Sequence, residues 1–268
     1  EVRDVEVLDV AELTNTHLRL RVAYDEPAGA PAHLFVKLPP RDPQRRRRIA
    51  ATGMGPKEVR FYTGLAGGTA LRTPRLHGSA IDEASGDFVL VLEDLATAGC
   101  TVPDGTRGVA PDAAARALEE LARFHANHAD PGGAAQASWI APAGEGSDYA
   151  VGMLRHGLDH HRHRLDDDFV RVAELYCSHR LEMQALWHPR PWTVVHGDPH
   201  LGNVFDDHGR IGFLDWGIVM RSTPMRDVSY FLTMAMDPED RRDHEVSLLR
   251  LYVGALAAEG GPGLTFDD

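Results

Sequence analysis

Lysine is nearly missing from this chain. Of 28 basic residues in 268, only Lys37 and Lys57 are lysines and the other 26 are arginines. A lysine kept where arginine is the habit points to a position that needs a compact ammonium, for which a planar guanidinium is a poor substitute. Cysteine is equally scarce. Cys100 and Cys177 are the two present, which excludes a disulfide framework and a thiolate metal set and fits a reducing, cytoplasmic setting. No apolar run approaches the roughly 20 residues that cross a bilayer, and no basic leader with an apolar core precedes the first strands. The residues given start at Glu1 rather than at Met and trail off after Gly260 without a closing helix, which leaves open whether the natural termini are among them. Basic charge is short overall. A formal net charge of −12 argues against non-specific nucleic-acid binding, which needs basic surface. It does not exclude a nucleotide, and it leaves a cationic ligand open.

Several motifs are also absent. There is no Gly-x-x-x-x-Gly-Lys-Ser/Thr loop and no Gly-x-Ser-x-Gly elbow, so P-loop and serine-hydrolase chemistries are excluded. What is present reads as β-rich first and α-rich afterwards. His17 to Tyr24 alternates with Leu18, Leu20, Val22 and Tyr24 on one face, as a half-buried strand does. His33 to Leu38 is a second strand, stopped by Pro39-Pro40. Glu58 to Leu65 has helical spacing, and Arg75 to Ile81 with Phe88 to Leu92 form two more strands around a turn. The Arg45 to Arg48 run reads as a solvated helix face. After a Gly/Thr/Pro-rich link from Leu95 to Pro111, Asp112 to Ala129 is an amphipathic helix. A loop from Pro131 to Gly146 precedes helices at Tyr149 to Leu165, Phe169 to Leu186, Arg226 to Met236 and Glu239 to Glu259. The pattern predicts an α+β fold with lobes at 1–95 and 96–268.

The chemistry concentrates in Val194 to Gly217. An apolar strand runs into His196-Gly197-Asp198, Asn203 follows five residues later, and a second apolar strand delivers Asp215-Trp216-Gly217. A hairpin would bring the two strand ends together. One carboxylate can then orient a hydroxyl and take its proton, while an amide oxygen and a second carboxylate hold Mg²⁺ on phosphates. Alone, either aspartate would read as a turn cap. Both spacings together match the Asp-x-x-x-x-Asn and Asp-aromatic-Gly pair of kinase active sites.

HGDxHxxN followed by LDWG resembles the aminoglycoside phosphotransferase and choline kinase group, and more narrowly its ecdysteroid-kinase-like branch. APAHLFVKLP, KEVRFY, FVLVLEDL, LARFHA and RDVSYFL agree in order along nearly the whole chain. The resemblance implies a protein-kinase-like two-lobed fold and ATP- and Mg²⁺-dependent transfer of phosphate to a small-molecule hydroxyl. It implies Asp198 as catalytic base, Asn203 and Asp215 as Mg²⁺ ligands, and Lys37 on the phosphates paired with Glu58. It places Glu93, Asp94 and Leu95 at an inter-lobe hinge whose backbone meets the adenine. His196 and Asp227 would buttress the catalytic loop. His125 reads as a satisfied core histidine and His156, His160, His161 and His163 as a solvated face. His200 could touch substrate or phosphate. Tyr149, Met153, His160, Phe169 and Tyr176 are expected to shape the acceptor pocket.

The chain departs from the kinase pattern in one place. Val10 to His17 should cover the phosphates with glycine, and it has none. Thr14, Asn15 and Thr16 could donate side-chain hydrogen bonds instead. The sequence therefore also admits a catalytically impaired binding module. A protein kinase fits less well, since an Ala-Pro-Glu segment is absent and Gly217 to Asp227 is too short for a long activation loop.

Overall fold

The computed structural model describes residues 1–103, 105–129, 137–144 and 148–267, and for Tyr149 the backbone only. Part of the loop expected at Pro131 to Gly146, and the Tyr149 side chain, lie outside the described residues.

The small lobe is a five-stranded antiparallel sheet. Its strands are β1 (Val2–Glu12), β2 (Thr16–Tyr24), β3 (His33–Leu38), β4 (Leu76–Asp82) and β5 (Asp87–Glu93), in the order β1-β2-β3-β5-β4. β5 shows why: Phe88, Leu90 and Leu92 alternate into the core, as a strand with one buried face requires. β1 is an edge strand that the sequence reading left unassigned, and it is exposed along nearly its whole length. Two helices lie between β3 and β4. α1 (Pro43–Ala50) is capped by the Asp42 carboxylate, which accepts from the Arg45 amide at 2.7 Å, and it buries nothing, in line with a solvated arginine face. α2 (Met54–Gly64) starts four residues before the expected Glu58, because Gly53 takes a left-handed φ of 67° and turns the chain into the helix. It sits so close to the sheet that a Cβ on Gly55 would come 2.1 Å from the Phe88 ring. That approach presents Glu58 to the lysine strand.

The large lobe is helical. α3 (Pro111–Asn127) buries Leu118, Leu121, Phe124 and His125 and packs on the long last helix, α8 (Pro238–Ala258), through Tyr252. Between them run α4 (Tyr149–His161), α5 (Asp167–Ser178), α6 (Arg180–Trp187) and α7 (Met225–Ala235). The single helix expected at Phe169 to Leu186 is two. The Ser178 hydroxyl bonds back to the Glu174 carbonyl, and His179 leaves helical geometry at φ −130°, a local competition that ends helices.

Four short strands flank the Asp198–Asn203 and Asp215–Gly217 segments. β6 (Thr193–Val195) does not pair with the strand before Asp215. It pairs antiparallel with β9 (Met220–Ser222). The hairpin is instead β7 (Val204–Asp207) with β8 (Arg210–Phe213). His208 and Gly209 turn it with positive φ at both positions, as a two-residue turn between twisted strands needs. This hairpin spans from Asn203 to Asp215, and the Leu214 amide closes its base on the Asn203 carbonyl at 3.0 Å.

Candidate active site

A cleft of about 550 Å³ separates the sheet from the helical lobe. Lys37, Glu58, Glu93, Asp94, Leu95, Asn203 and Asp215 all line it. Lys37 points inward from β3 and is 4% exposed. Its ammonium donates to Glu58 at 2.7 Å and to Asp215 at 2.8 Å. Burial pulls the ammonium toward its neutral form, but the two carboxylates outweigh that and leave its pKa raised. Burial drives Glu58 up to about 7, even with Lys37 pulling it down. Asp215 is opposed by burial as well, yet Lys37 and the facing histidines keep it below the ordinary carboxylate value. The site therefore holds an ionised Asp215 and a charged Lys37 at neutral pH.

Asp215 occupies the left-handed region at φ 64°, unusual for a side chain other than glycine and a mark of a position held by its surroundings. The surroundings are rigid. Trp216 is fully buried and stacks flat on Phe61 of α2, centroids 3.9 Å apart and 4° between planes. His196 also packs against Trp216, centroids 4.3 Å apart. His196 donates from Nε2 to the Leu214 carbonyl at 2.9 Å and accepts the Asp198 amide on Nδ1 at 3.2 Å. Burial keeps that imidazole neutral. It ties the end of β6 to the end of β8, so the two motifs meet without the strands pairing.

Asp227 supports the loop from below. Its fully buried carboxylate accepts the amides of His196 at 2.6 Å and Gly197 at 2.8 Å, and His125 Nε2 at 3.2 Å. Burial opposes its ionisation, and the histidine and amide donors prevail, so its pKa is lowered. His125 is a core histidine, bonded also to the Tyr252 hydroxyl at 2.8 Å. Gly197 has φ 86°, and a Cβ there would lie 2.6 Å from the Ile218 carbonyl, so only glycine fits.

Asn203 donates from Nδ2 to the Asp198 carbonyl at 2.9 Å, leaving its amide oxygen as the free acceptor. Asp215 spends one oxygen on Lys37. One carboxylate and one amide oxygen make a hard, all-oxygen set that suits Mg²⁺ when phosphates and water complete the shell. Among the described residues no group of three or more His, Cys, Asp or Glu could hold a metal ion. The His156 and His160 rings simply stack at 4.3 Å, with His160 bonded to its own helix.

Asp198 is not among the residues that line the cleft; it stands beside His200, which does line it. His200 Nε2 stands 3.7 Å from its carboxylate, and His200 Nδ1 accepts the Gly202 amide. The Tyr230 phenol faces the same carboxylate, and burial together with that charge raises its pKa. Sequence reasoning missed Tyr230, because nothing in RDVSYFL separates a site tyrosine from a packing one.

The glycine-free roof is also clear. Thr14, Asn15 and His17 line the cleft. Thr16 does not donate there: its hydroxyl goes to the Pro39 carbonyl at 3.1 Å and to Glu12 at 3.0 Å. Asn15 Oδ1, His17 Nε2 and the Tyr62 hydroxyl are buried without a hydrogen-bond partner, and all three residues line this cleft. Buried polar atoms are rarely left so, and three around one cavity fit a polar ligand. At the hinge, Glu93 binds Arg72 at 2.9 and 3.0 Å, and Asp94 binds Arg19 at 2.9 and 3.0 Å. Their carboxylates are occupied, and so is much of the hinge backbone: the Glu93 amide donates to the Arg75 carbonyl at 2.9 Å, the Asp94 carbonyl accepts the Thr97 and Ala98 amides at 3.1 and 3.0 Å, and the Leu95 carbonyl accepts the Cys100 amide at 3.0 Å. Of the expected acceptor-pocket residues, Met153 and Phe169 are exposed on the surface, and Tyr176 lines a cavity beside the catalytic loop.

Residues 17–260 match the phosphotransferase enzyme family, and the chain belongs to it. Among curated protein sequences none matches. The fold is shared with an aminoglycoside 2'-phosphotransferase-IIIa in its GDP complex, at 16% identity and TM-score 0.55, over 96% of this chain and 78% of that one. It is shared with macrolide 2'-phosphotransferase MphH from Brachybacterium faecium at 19% and 0.52, over 97% and 80%. A putative aminoglycoside phosphotransferase from Ralstonia eutropha gives 17% and 0.58, over 98% and 76%. The fold is thus α+β and kinase-like, as the motifs implied. Among the described residues no helix is long and apolar enough to cross a membrane.

Proposed function

We propose that the chain moves the γ-phosphate of ATP onto a hydroxyl of a small molecule, with lobes at 1–95 and 96–268. The observation that carries this is the convergence of Lys37, Glu58, Asn203 and Asp215 on one cleft, with Asp198 tied to Asn203 through its carbonyl. Asp198 orients the acceptor hydroxyl and takes its proton. The hydroxyl oxygen forms the new bond to phosphorus as the β–γ bridging oxygen leaves with ADP. Lys37, positioned by Glu58, meets the phosphates. Asn203 and Asp215 would hold Mg²⁺, which supplies neutralising charge to the phosphates. Catalysis is then mostly positioning and preorganised charge. The narrower likeness to the ecdysteroid-kinase-like branch rests on the sequence segments alone.

The glycine-free roof favours a second reading, a binding module with impaired transfer. A thermal-shift titration with ATP and Mg²⁺ separates them, run beside Asp215→Ala and followed by ADP release. Binding to the folded state must raise the Tm by mass action. A metal-dependent rise lost in the variant supports the kinase. No rise at millimolar Mg-ATP in the folded protein would end that reading.

A further inference from the structure

A second cavity, also about 550 Å³, opens on the helical lobe beside the catalytic loop. Tyr176 and Trp187 form one wall, their rings stacked at 5.5 Å and 14°. Met220 and Met225 supply adaptable apolar surface. The cavity abuts the loop itself, since a Cβ on Gly197 would lie 3.1 Å from the Met220 methyl. Gly197 is the residue before Asp198.

The lining carries charge of one sign. Among the described residues it includes Arg226 and no aspartate or glutamate. Its histidine, His188, is held below its ordinary value by burial and by Arg226, and so is neutral near pH 7. Arg226 donates to the Gly197 carbonyl at 3.2 Å and lies over the Tyr230 ring at 4.8 Å, whose phenol faces Asp198. A guanidinium has five N–H donors in a planar fork, and that bond engages one nitrogen. It is a permanent cation between the cavity and the catalytic carboxylate, with hydrogen-bonding capacity to spare.

We infer that this cavity receives the phosphate acceptor and that the acceptor is an anionic hydroxy compound with a flat apolar body, its carboxylate on Arg226 and its hydroxyl toward Asp198. The inference rests on the kinase reading above. The aromatic wall suits a flat body, and the guanidinium fork matches a carboxylate in geometry and sign. A polycation would meet Arg226 in a lining that, among the described residues, holds no carboxylate to offset it. The chain's formal charge of −12 favours cations at long range, but contacts inside the cavity decide which ligand stays.

The test uses three benzyl alcohols that differ only at the para position, bearing carboxylate, hydroxymethyl or aminomethyl. Binding is read by tryptophan fluorescence against Trp187→Phe, and transfer by ADP release with Mg-ATP. The carboxylate should bind about tenfold more tightly than the amine, with the neutral alcohol between them. Arg226→Ala should erase that order, and Arg226→Lys should keep part of it. An amine preference, an order that survives Arg226→Ala, or binding of none of the three overturns the inference. A Tm rise with Mg-ATP measured in parallel shows whether the kinase reading stands when the inference falls.

Discussion

The Lys37 ammonium donates to Asp215 across the cleft at 2.8 Å, from residues 178 positions apart in sequence. The same nitrogen holds Glu58 at 2.7 Å, so the strand, the helix and the catalytic hairpin share one cation. A divalent ion on Asp215 would compete with that bond and leave Lys37 to the phosphates and Glu58. Replacing Lys37 with Met should strand Glu58 and Asp215 beside each other without a counter-charge. Removing one partner of a buried pair costs up to about 3–5 kcal/mol, and Glu58, already raised to about 7, relieves part of that by keeping its proton. Urea unfolding should show that loss, and ADP release should fall with it. A Lys37→Met protein as stable as the native one would contradict the coupling.

Glu58 also gives a pH signature. Burial raises it from 4.5 to about 7. Between those values the folded protein holds a proton that the unfolded chain has released, so this group's contribution to stability falls as pH rises through the window and is level above it. His17, His188 and His196 are lowered, chiefly by burial, and drive stability the opposite way below 6.5. The Glu58 component is therefore read as a difference. Relative to Glu58→Gln, the native protein should lose stability between pH 5 and 7.5. An equal gap at both pH values would mean that Glu58 titrates normally.

The roof of the cleft makes a prediction of a different kind. Asn15 is 2% exposed with its Oδ1 unpaired. An unsatisfied buried group costs stability while it waits for a partner. Asn15→Ala should leave the ligand-free Tm unchanged or higher, and weaken Mg-ATP binding about three- to tenfold, as the loss of one hydrogen bond does. A lower ligand-free Tm with unchanged nucleotide affinity would make Asn15 a structural residue only.

Much of the candidate site was legible because the motifs of the phosphotransferase family fix residue types at short spacings. Asp198, Asn203 and Asp215 sit within one 18-residue stretch, and the scarcity of lysine together with the family resemblance pointed to Lys37. Pairing was less legible. Val194 and Val195 are apolar enough to suit either neighbour, and a three-residue strand carries no register of its own, so its partner β9 emerged only from the fold. Tyr230 and Arg226 were hidden for another reason. Their place beside Asp198 follows from how α7 docks under the loop, and helix spacing alone does not encode that. His17 looked like a strand residue, and its orphaned nitrogen became visible only with the cleft around it.

Asp227 tests whether the catalytic loop is held in place from beneath. Its carboxylate accepts two backbone amides on its two oxygens and a histidine N–H as well. Asparagine offers one oxygen and one NH₂, so one amide donor would face another donor. Asp227→Asn should destabilise the fold by about 3 kcal/mol, the cost of an unsatisfied buried donor beside a lost charge-assisted bond. It should also let Asp198 shift relative to Asn203. Misplacement of about 1 Å at a reacting group can cost about 10²-fold in rate, so kcat should fall by roughly that factor. The KM for ATP should change little, because Lys37 and the hinge do not touch Asp227. This split separates positioning from general instability. A variant that loses kcat and ATP affinity equally, or keeps native kcat when folded, would show that the loop does not depend on this carboxylate.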